Sequence, residues 1–458
     1  MTTTTLPPQT IPGPKGLPFL GVALDFLKDP LTYFDTMVAR YGRLFRLPLG
    51  GNALVFLNDA ADVEQVLRRD FENFGASNQA EDLLRPLLGR SMPVVADQFY
   101  WEQLHSIMLP MFTPKMLQMY FGHTLAATQE AADKLTGYAE SGDVVSMYNF
   151  AREGVFNSLL RTLFARGIDP AEIPMLLDWF SKADEYVNAR NLSGASPLIL
   201  ALPAVREGKR CLRKIDRRVY ELLAFRKANR VEEPEDMLDV LLAAKLADGS
   251  PLSDKELRDN VVALLFGGQE TTPGAITWAF GLLATHPEKR RLMLEEIDQV
   301  LEGRPPTFQD LSKLEYTEMV LDEAMRLYPA FPFIGRESLV DTEIAGYPVP
   351  KGTALGFVAW TVHRDPRHWP EPDKFIPERH TKAEKKVRAK CALLSFGYGH
   401  RRCIGERVGR MEGLLMLAVV SQRFLLDHES GKIPDHKVQM SIKPVDGMPM
   451  RVSVRAEP

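Results

Sequence analysis

One segment, Phe396-Gly397-Tyr398-Gly399-His400-Arg401-Arg402-Cys403-Ile404-Gly405, constrains this chain more than any other. Its glycines permit sharp turns and close backbone approach that other residues resist. They frame a single cysteine directly before a helix-like stretch from Glu406 to Phe424. A cysteine there lies near the positive end of the helix dipole, which favours thiolate over thiol. Arg401 and Arg402 add positive potential for a bulky anionic group beside the sulfur. A thiolate so held is suited to ligating iron, and cysteine-ligated haem is a recognised arrangement for cleaving dioxygen. A lone cysteine more often reads as a small buried core residue; the frame around Cys403 reverses that balance. Cys391, the nearby rival thiolate, lacks the glycine frame.

The 458 residues and their formal net charge of −4 allow a large core, and length alone suggests two or three domains. No clear linker divides the chain, so the reading is one predominantly helical domain over residues 1–458 with a minor β region. The mild acidity and the lack of an apparent dense basic stripe give no support to nucleic-acid binding. Cys211, Cys391 and Cys403 are too few and too irregular for a disulfide framework or zinc site, which fits a reducing cytoplasm. Residues 1–20 form a Pro/Gly-rich lead-in with no apolar span of about 18 residues, so no membrane anchor is expected. Arg43 to Leu57, around Gly50-Gly51, predicts a hairpin. From Ala61 to Val300 the pattern is mostly helical, Leu339 to Val358 returns to short strands, and Val438 to Val454 suggests a further strand pair.

Leu252 to His286 predicts the longest helix, opened by the capping-box pair Ser253 and Glu256. Inside it stands Gly267-Gly268-Gln269-Glu270-Thr271-Thr272-Pro273, a poor recipe for a regular helix interior. Pro273 cannot donate to the Gln269 carbonyl, so a local opening is expected there. Such a stretch reads either as a plain kink or as a polar groove; a freed carbonyl, a hydroxyl and a carboxylate can order water and pass protons. Glu323-Ala324-Met325-Arg326 sets opposite charges on one helix face. Its apolar flanks predict burial and therefore pairing. Trp101 and His105, one turn apart, can both donate hydrogen bonds from one face. The histidines, His363, His368 and His400 among them, show no metal-ligand spacing.

These segments resemble the cytochrome P-450 family across nearly the whole chain, from Pro12-Gly13-Pro14 onward. Phe396 to Gly405 fills every position of the family's haem-binding loop, Phe-Gly-x-Gly-x-Arg-x-Cys-x-Gly. The resemblance implies a triangular, mainly α fold with minor β, haem b lying between the long oxygen-groove helix and the helix after the cysteine loop. It makes Cys403 the axial thiolate and Phe396, Gly397, Gly405, Gly267 and Gly268 parts of the haem and oxygen site. Thr271 becomes the hydroxyl facing bound oxygen, with Glu270 its acidic neighbour in proton delivery. Trp101, His105, Arg336 and Arg401 become donors to the haem propionates. Glu323, Arg326 and Arg379 form a structural triad, with His380 where the family more often has Phe or Trp.

The family's pocket regions nominate Val94, Val95, Leu264, Leu265, Phe331, Phe333 and Val445 for a hydrophobic substrate, each of which reads as readily as ordinary core. Pro197 to Pro203 falls where the family has a mobile lid, and it also reads as a buried loop. Arg85 and Arg90 lie near the expected entrance and are candidate carboxylate anchors. No reductase-like segment follows Cys403. Electrons, originating in NAD(P)H, are therefore expected from a separate ferredoxin or flavodoxin with its reductase. The basic cluster Lys382, Lys385, Lys386, Arg388 and Lys390 reads as that carrier's docking face or as a solvated loop. The resulting expectation is a soluble, monomeric bacterial monooxygenase that hydroxylates or epoxidises a terpenoid, steroid, fatty acid or polyketide. The alternatives are a haem-thiolate isomerase, dehydratase or peroxide-driven enzyme, and a non-catalytic haem-binding sensor.

Overall fold

A computed structural model of the chain describes residues 10–17, 20–49, 52–192, 196–438 and 441–456. Helices dominate it, and the strands gather into small sheets. The helices that build the site are α1 (Gln98–Met108), α2 (Pro114–Ser141), α3 (Met147–Leu163), α4 (Ile173–Leu192), α5 (Pro203–Ala228), α6 (Asp254–Thr285), α7 (Glu315–Leu327) and α8 (Glu406–Arg423). Helix α6 is central: α3, α5, α7 and α8 all pack on it, and α2 completes the core against α3 and α8.

The start of α6 follows the predicted capping box. Ser253 accepts from the Glu256 amide, and the Glu256 carboxylate takes the Ser253 N–H at 2.8 Å. The helix then runs unbroken through Pro273, where the sequence predicts an opening. Burial on every side overrides the weak local propensity, since most helix stability in proteins comes from tertiary packing.

The expected hairpin forms by pairing Leu44–Leu49 with Asn52–Leu57, from Leu44 opposite Leu57 to Leu49 opposite Asn52. The Gly50-Gly51 turn lies outside the described residues. This hairpin is one edge of a five-stranded sheet, in which Asn52–Leu57 runs parallel to Ala354–Val358 and Phe333–Ser338 lies beyond. Phe74–Gly75 at the far edge and Val144–Ser146 are short strands inside the region predicted as mostly helical. The carboxy-terminal segment departs from the predicted pair. Ile442–Pro444 pairs back onto His436–Val438, while Pro449–Val454 pairs with Phe424–His428 and Val144–Ser146. Partners that distant in sequence leave no local pattern to read. Among the described residues, no helix is long and apolar enough to cross a membrane.

Candidate active site

The cysteine segment folds as a tight loop closed by the Cys403 N–H donating to the Phe396 carbonyl at 2.8 Å. Gly397 and Gly399 adopt φ of 68° and 73°, left-handed conformations that favour glycine. Gly399 is also sterically required, because a Cβ there would sit 1.8 Å from the Leu67 carbonyl oxygen. The loop delivers Cys403 to the start of α8 with its side chain accessible. Burial of the surroundings pushes the Cys403 thiol up. The Gly405 and Glu406 N–H groups and Arg402 pull it down by less, and the Glu406 charge adds to the rise. The helix-end effect expected from sequence is therefore present but outweighed. A bound iron would supply the missing positive charge, as metals do for coordinating thiols. Cys391, the rival, is wholly buried, and its thiol is pushed up to about 12 by desolvation.

The clearest imprint of a bound group is on α6. From Leu257 to Leu283 every residue is buried except Leu264, Gly267, Gly268 and Thr271. Their three- and four-residue spacing puts these four on one face of the helix. A fully packed helix that opens along one such stripe is facing a ligand space. Helix α8 crosses close by, since a Cβ on Gly409 would lie 3.2 Å from the Thr272 hydroxyl. The Thr271 hydroxyl donates to the Gly267 carbonyl at 2.7 Å, leaving its oxygen lone pairs as acceptors.

Arg336 and Arg401 form a second imprint. Arg336 donates only to its neighbour's carbonyl, that of Gly335, and burial alone pulls its guanidinium down to about 10. Burial, with Arg336 nearby, pulls Arg401 down to about 9. Among the described residues neither is paired with a carboxylate, and the Arg401 Nε has no partner. Arg401 stacks over Trp101 with its guanidinium carbon 4.5 Å from the ring centroid, and Trp101 stacks on His105 at 4.9 Å. Burial, and then the charges of His400 and Arg401, push His105 below its usual value. Arg401 thus lies against Trp101, another of the residues nominated as propionate donors. Two cations that donate only to neutral acceptors, beside Trp101 and His105, fit a group bearing two carboxylates. With Cys403 and the open stripe of α6, these residues fit haem.

Glu270 sits differently from its expected place beside Thr271. It is buried, with Lys443 Nζ at 2.6 Å, the Ser441 hydroxyl donating at 3.2 Å and Arg152 at 4.0 Å. Arg152 on α3 also donates to Gln269 and to Ser181 on α4. Asp184 on α4 completes this cluster, its carboxyl pushed up to about 6 by burial and then by the Glu270 charge. Sequence reasoning missed Arg152 and Lys443. The available signal was a cation within an otherwise apolar stretch, as at Tyr148-Asn149-Phe150-Ala151-Arg152.

The structural triad gains a member. Glu323 takes two hydrogen bonds from Arg326, at 2.7 and 2.8 Å, and has Arg379 at 3.3 Å. His380 Nε2 lies 2.8 Å from the same carboxylate, so this departure from the family pattern adds a polar partner. Arg326 also donates to the carbonyls of His363, Pro372 and Lys374, tying α7 to the segment that leads to Cys403.

The nominated pocket residues divide. Val95 and Leu265 are fully packed, and Val95 gives its carbonyl to Arg401 at 3.0 Å. Val94 is buried, Leu264 lies on the open stripe, and Phe333 packs on Phe34 at 5.3 Å. Phe331 and Val445 are exposed. Arg85 is already paired with Glu81 at 2.8 Å, and Arg90 lies 3.5 Å from Glu81. In the basic cluster Lys382 and Lys385 are paired with Glu315 and Asp322, while Lys386 and Lys390 are exposed.

Comparison with known proteins follows the same lines. Residues 11–448 match the family model described as cytochrome P-450. The chain is 31% identical over 417 residues to cyclooctat-9-en-7-ol 5-monooxygenase of Streptomyces melanosporofaciens, covering 90% of this chain and 88% of that protein. It is 30% identical to cytochrome P-450 3A16 of Mus musculus, over 91% of this chain and 85% of the relative. In structure it resembles the cytochrome P-450DA heme domain with a TM-score of 0.86 and 25% identity, covering 98% of each chain.

Proposed function

The chain belongs to the cytochrome P-450 family and is a haem-dependent monooxygenase, and we propose that its substrate is a neutral, hydrophobic molecule of the terpenoid or steroid kind. The pairing of both entrance arginines, Arg85 and Arg90, with Glu81 carries this reading over a fatty acid. A substrate carboxylate would have to displace a carboxylate already in place. The apolar surround and the small stripe of Leu264, Gly267 and Gly268 suit recognition by shape. A relative at 31% identity is named for a monooxygenation at a numbered carbon of cyclooctat-9-en-7-ol, which supports the same class. The test is a titration of the haem-loaded protein with neutral terpenoids, steroids and fatty acids, read by the Soret band. Neutral compounds should bind at least roughly tenfold more tightly, the value of one unmatched polar contact. Equal or tighter binding of fatty acids would overturn the assignment.

Within this reading haem supplies dioxygen activation at iron, and the chain supplies proton handling. Thr271, on the open stripe and with free acceptor lone pairs, is assigned to hold water over the reacting centre. Glu270 is assigned to the proton supply behind it. Thr271→Ala should lower product formed per reductant consumed by roughly tenfold or more, within the range for a positioned proton-transfer group. Unchanged coupling would remove Thr271 from that role. Electrons are assigned to a separate ferredoxin or flavodoxin with an NAD(P)H-dependent reductase. Its docking face is the groove lined by Lys385, Arg388, Lys390, Tyr398 and Arg402, next to the cysteine loop.

A further inference from the structure

The short helix Asn78–Leu88 keeps one carboxylate turned inward, that of Glu81. A buried carboxylate needs partners, and Glu81 takes all of its partners from one region. Its Oε1 lies 2.8 Å from Arg85 on the same helix and 3.5 Å from Arg90 just beyond the helix end. Its Oε2 accepts the Ala96 N–H at 2.8 Å. The Arg90–Ala96 segment closed by these contacts runs along the site. Its Arg90 and Met92 N–H groups donate to Asp259 and Asn260, both at 3.0 Å, and Asn260 stands one turn ahead of Leu264 on the open stripe of α6. Its Val95 carbonyl accepts from Arg401 at 3.0 Å. The side chain of Glu81 is only 6% exposed, whereas those of Arg85 and Arg90 are 54% and 48% exposed. Two cations thus face outward while the acid that neutralises them is locked inside.

We propose that Glu81 is a specificity-determining residue, the buried countercharge that denies Arg85 and Arg90 to an anionic substrate. This deepens the neutral-substrate reading above and rests on it. The local charges cancel, Arg85 and Arg90 against Glu81 and Asp82. Asp82 lies 3.4 Å from Arg85 but is 71% exposed, where an ion pair is worth little. The other acids nearby are engaged elsewhere: Asp259 with Lys255 and Arg258, and Glu256 with the Ser253 cap and the Tyr100 hydroxyl. Arg90 lies over the Tyr100 ring at 5.2 Å and has no carboxylate partner but Glu81 among the described residues. An incoming carboxylate therefore finds no net positive charge. Glu81 cannot swing aside to create one, because the buried Ala96 N–H would lose its acceptor. Holding that N–H alone would need only an amide oxygen; the carboxylate adds the cancellation of the cations. Selectivity of this kind comes from a group placed against the wrong ligand rather than from contact with the right one.

Glu81→Gln keeps the side-chain volume and an oxygen for the Ala96 N–H while removing the charge. The test is a Soret titration of the full-length, haem-loaded parent and variant with dodecanoate and with dodecanol, at low and high salt. The parent should bind dodecanol more tightly. In Glu81→Gln the ratio of dodecanoate to dodecanol affinity should rise at least about tenfold, the value of one hydrogen bond to a charged group. That gain should shrink at high salt. Adding Arg90→Gln should take the gain back, which a merely loosened segment would not do. Arg90→Gln alone changes an exposed side chain and leaves the region negative. It should tighten dodecyltrimethylammonium, whose nitrogen has no lone pair for iron, relative to dodecanol. A parent that binds dodecanoate as tightly as dodecanol overturns the neutral-substrate reading itself. A parent that favours dodecanol, with an unchanged ratio in Glu81→Gln or a gain that survives Arg90→Gln, overturns the role of Glu81 alone. An unchanged ammonium ratio in Arg90→Gln does the same, and it decides the matter even where Glu81→Gln loses its haem.

Discussion

Glu323→Ala is expected to cost about 3–5 kcal/mol, the range for breaking a buried ion pair from one side, and to leave the protein short of haem. Both side chains of the Glu323–Arg326 pair are fully excluded from solvent. Removing the carboxylate strands the Arg326 guanidinium in the core, and it also removes the acceptor for the Ile376 N–H at 3.0 Å and for His380. The damage does not stay local. The Arg326 carbonyl accepts from His363 Nδ1 at 3.0 Å, and His363 Nε2 in turn accepts the Leu394 N–H at 2.7 Å. Burial pulls His363 down to about 3, so the ring is neutral with one nitrogen donating and the other accepting. Leu394 stands just ahead of Phe396, the first residue of the cysteine loop. A disturbance at Glu323 therefore has a continuous hydrogen-bonded route to Cys403. The measurement is haem per polypeptide by absorbance, with the urea midpoint alongside. A variant with full haem and an unchanged midpoint would show that the tetrad does not hold the loop. Glu323→Gln keeps the volume and should fall between the two.

The parts of this site that were legible in sequence are those enforced by local geometry. The cysteine loop shows itself because left-handed turns at Gly397 and Gly399 favour glycine, and because the Leu67 carbonyl forbids any other residue at Gly399. The start of α6 shows itself because Ser253 and Glu256 satisfy helix-end amides from fixed positions. The failures are all long-range. Nothing near Glu270 in sequence announces that Arg152 and Lys443 will close on it from two other elements. His380 looked like a change in packing because its partner, Glu323, is visible only once α7 and the later segment are brought together. Helix α6 continues through Pro273 for a related reason. Local propensity was read correctly, but the helices packed around α6 decide the outcome.

Glu412→Gln should leave stability almost unchanged near pH 5 and raise it near pH 8. Glu412 lies on α8 where α2, α3 and α6 meet, buried, with no ion-pair partner among the described residues. Burial pushes its carboxyl up to about 8, while hydrogen bonds with Ser158 and Thr272 oppose the rise by less. Ser158 lies 3.0 Å from both Glu412 and the Thr124 hydroxyl, so hydroxyls from two helices, Ser158 and Thr272, face the acid without neutralising an ionised form. The sign follows from proton counting. In the unfolded chain the carboxyl ionises near its ordinary 4.5, whereas in the folded protein it keeps its proton to about 8. Between those values the folded state binds more protons, so stability falls as pH rises, by at most about 1.4 kcal/mol per pH unit. Below the window both states are protonated and the effect is absent; above it the full cost is present. Glutamine copies the shape of the neutral acid and cannot ionise, so it should remove the slope. The check is the difference in thermal midpoint between variant and parent, both haem-loaded, across pH 5 to about 8. A difference that stays flat would mean that Glu412 ionises in the folded core with a compensating partner. A difference that grows with pH would identify this carboxyl as a proton held in place by the packing of four helices.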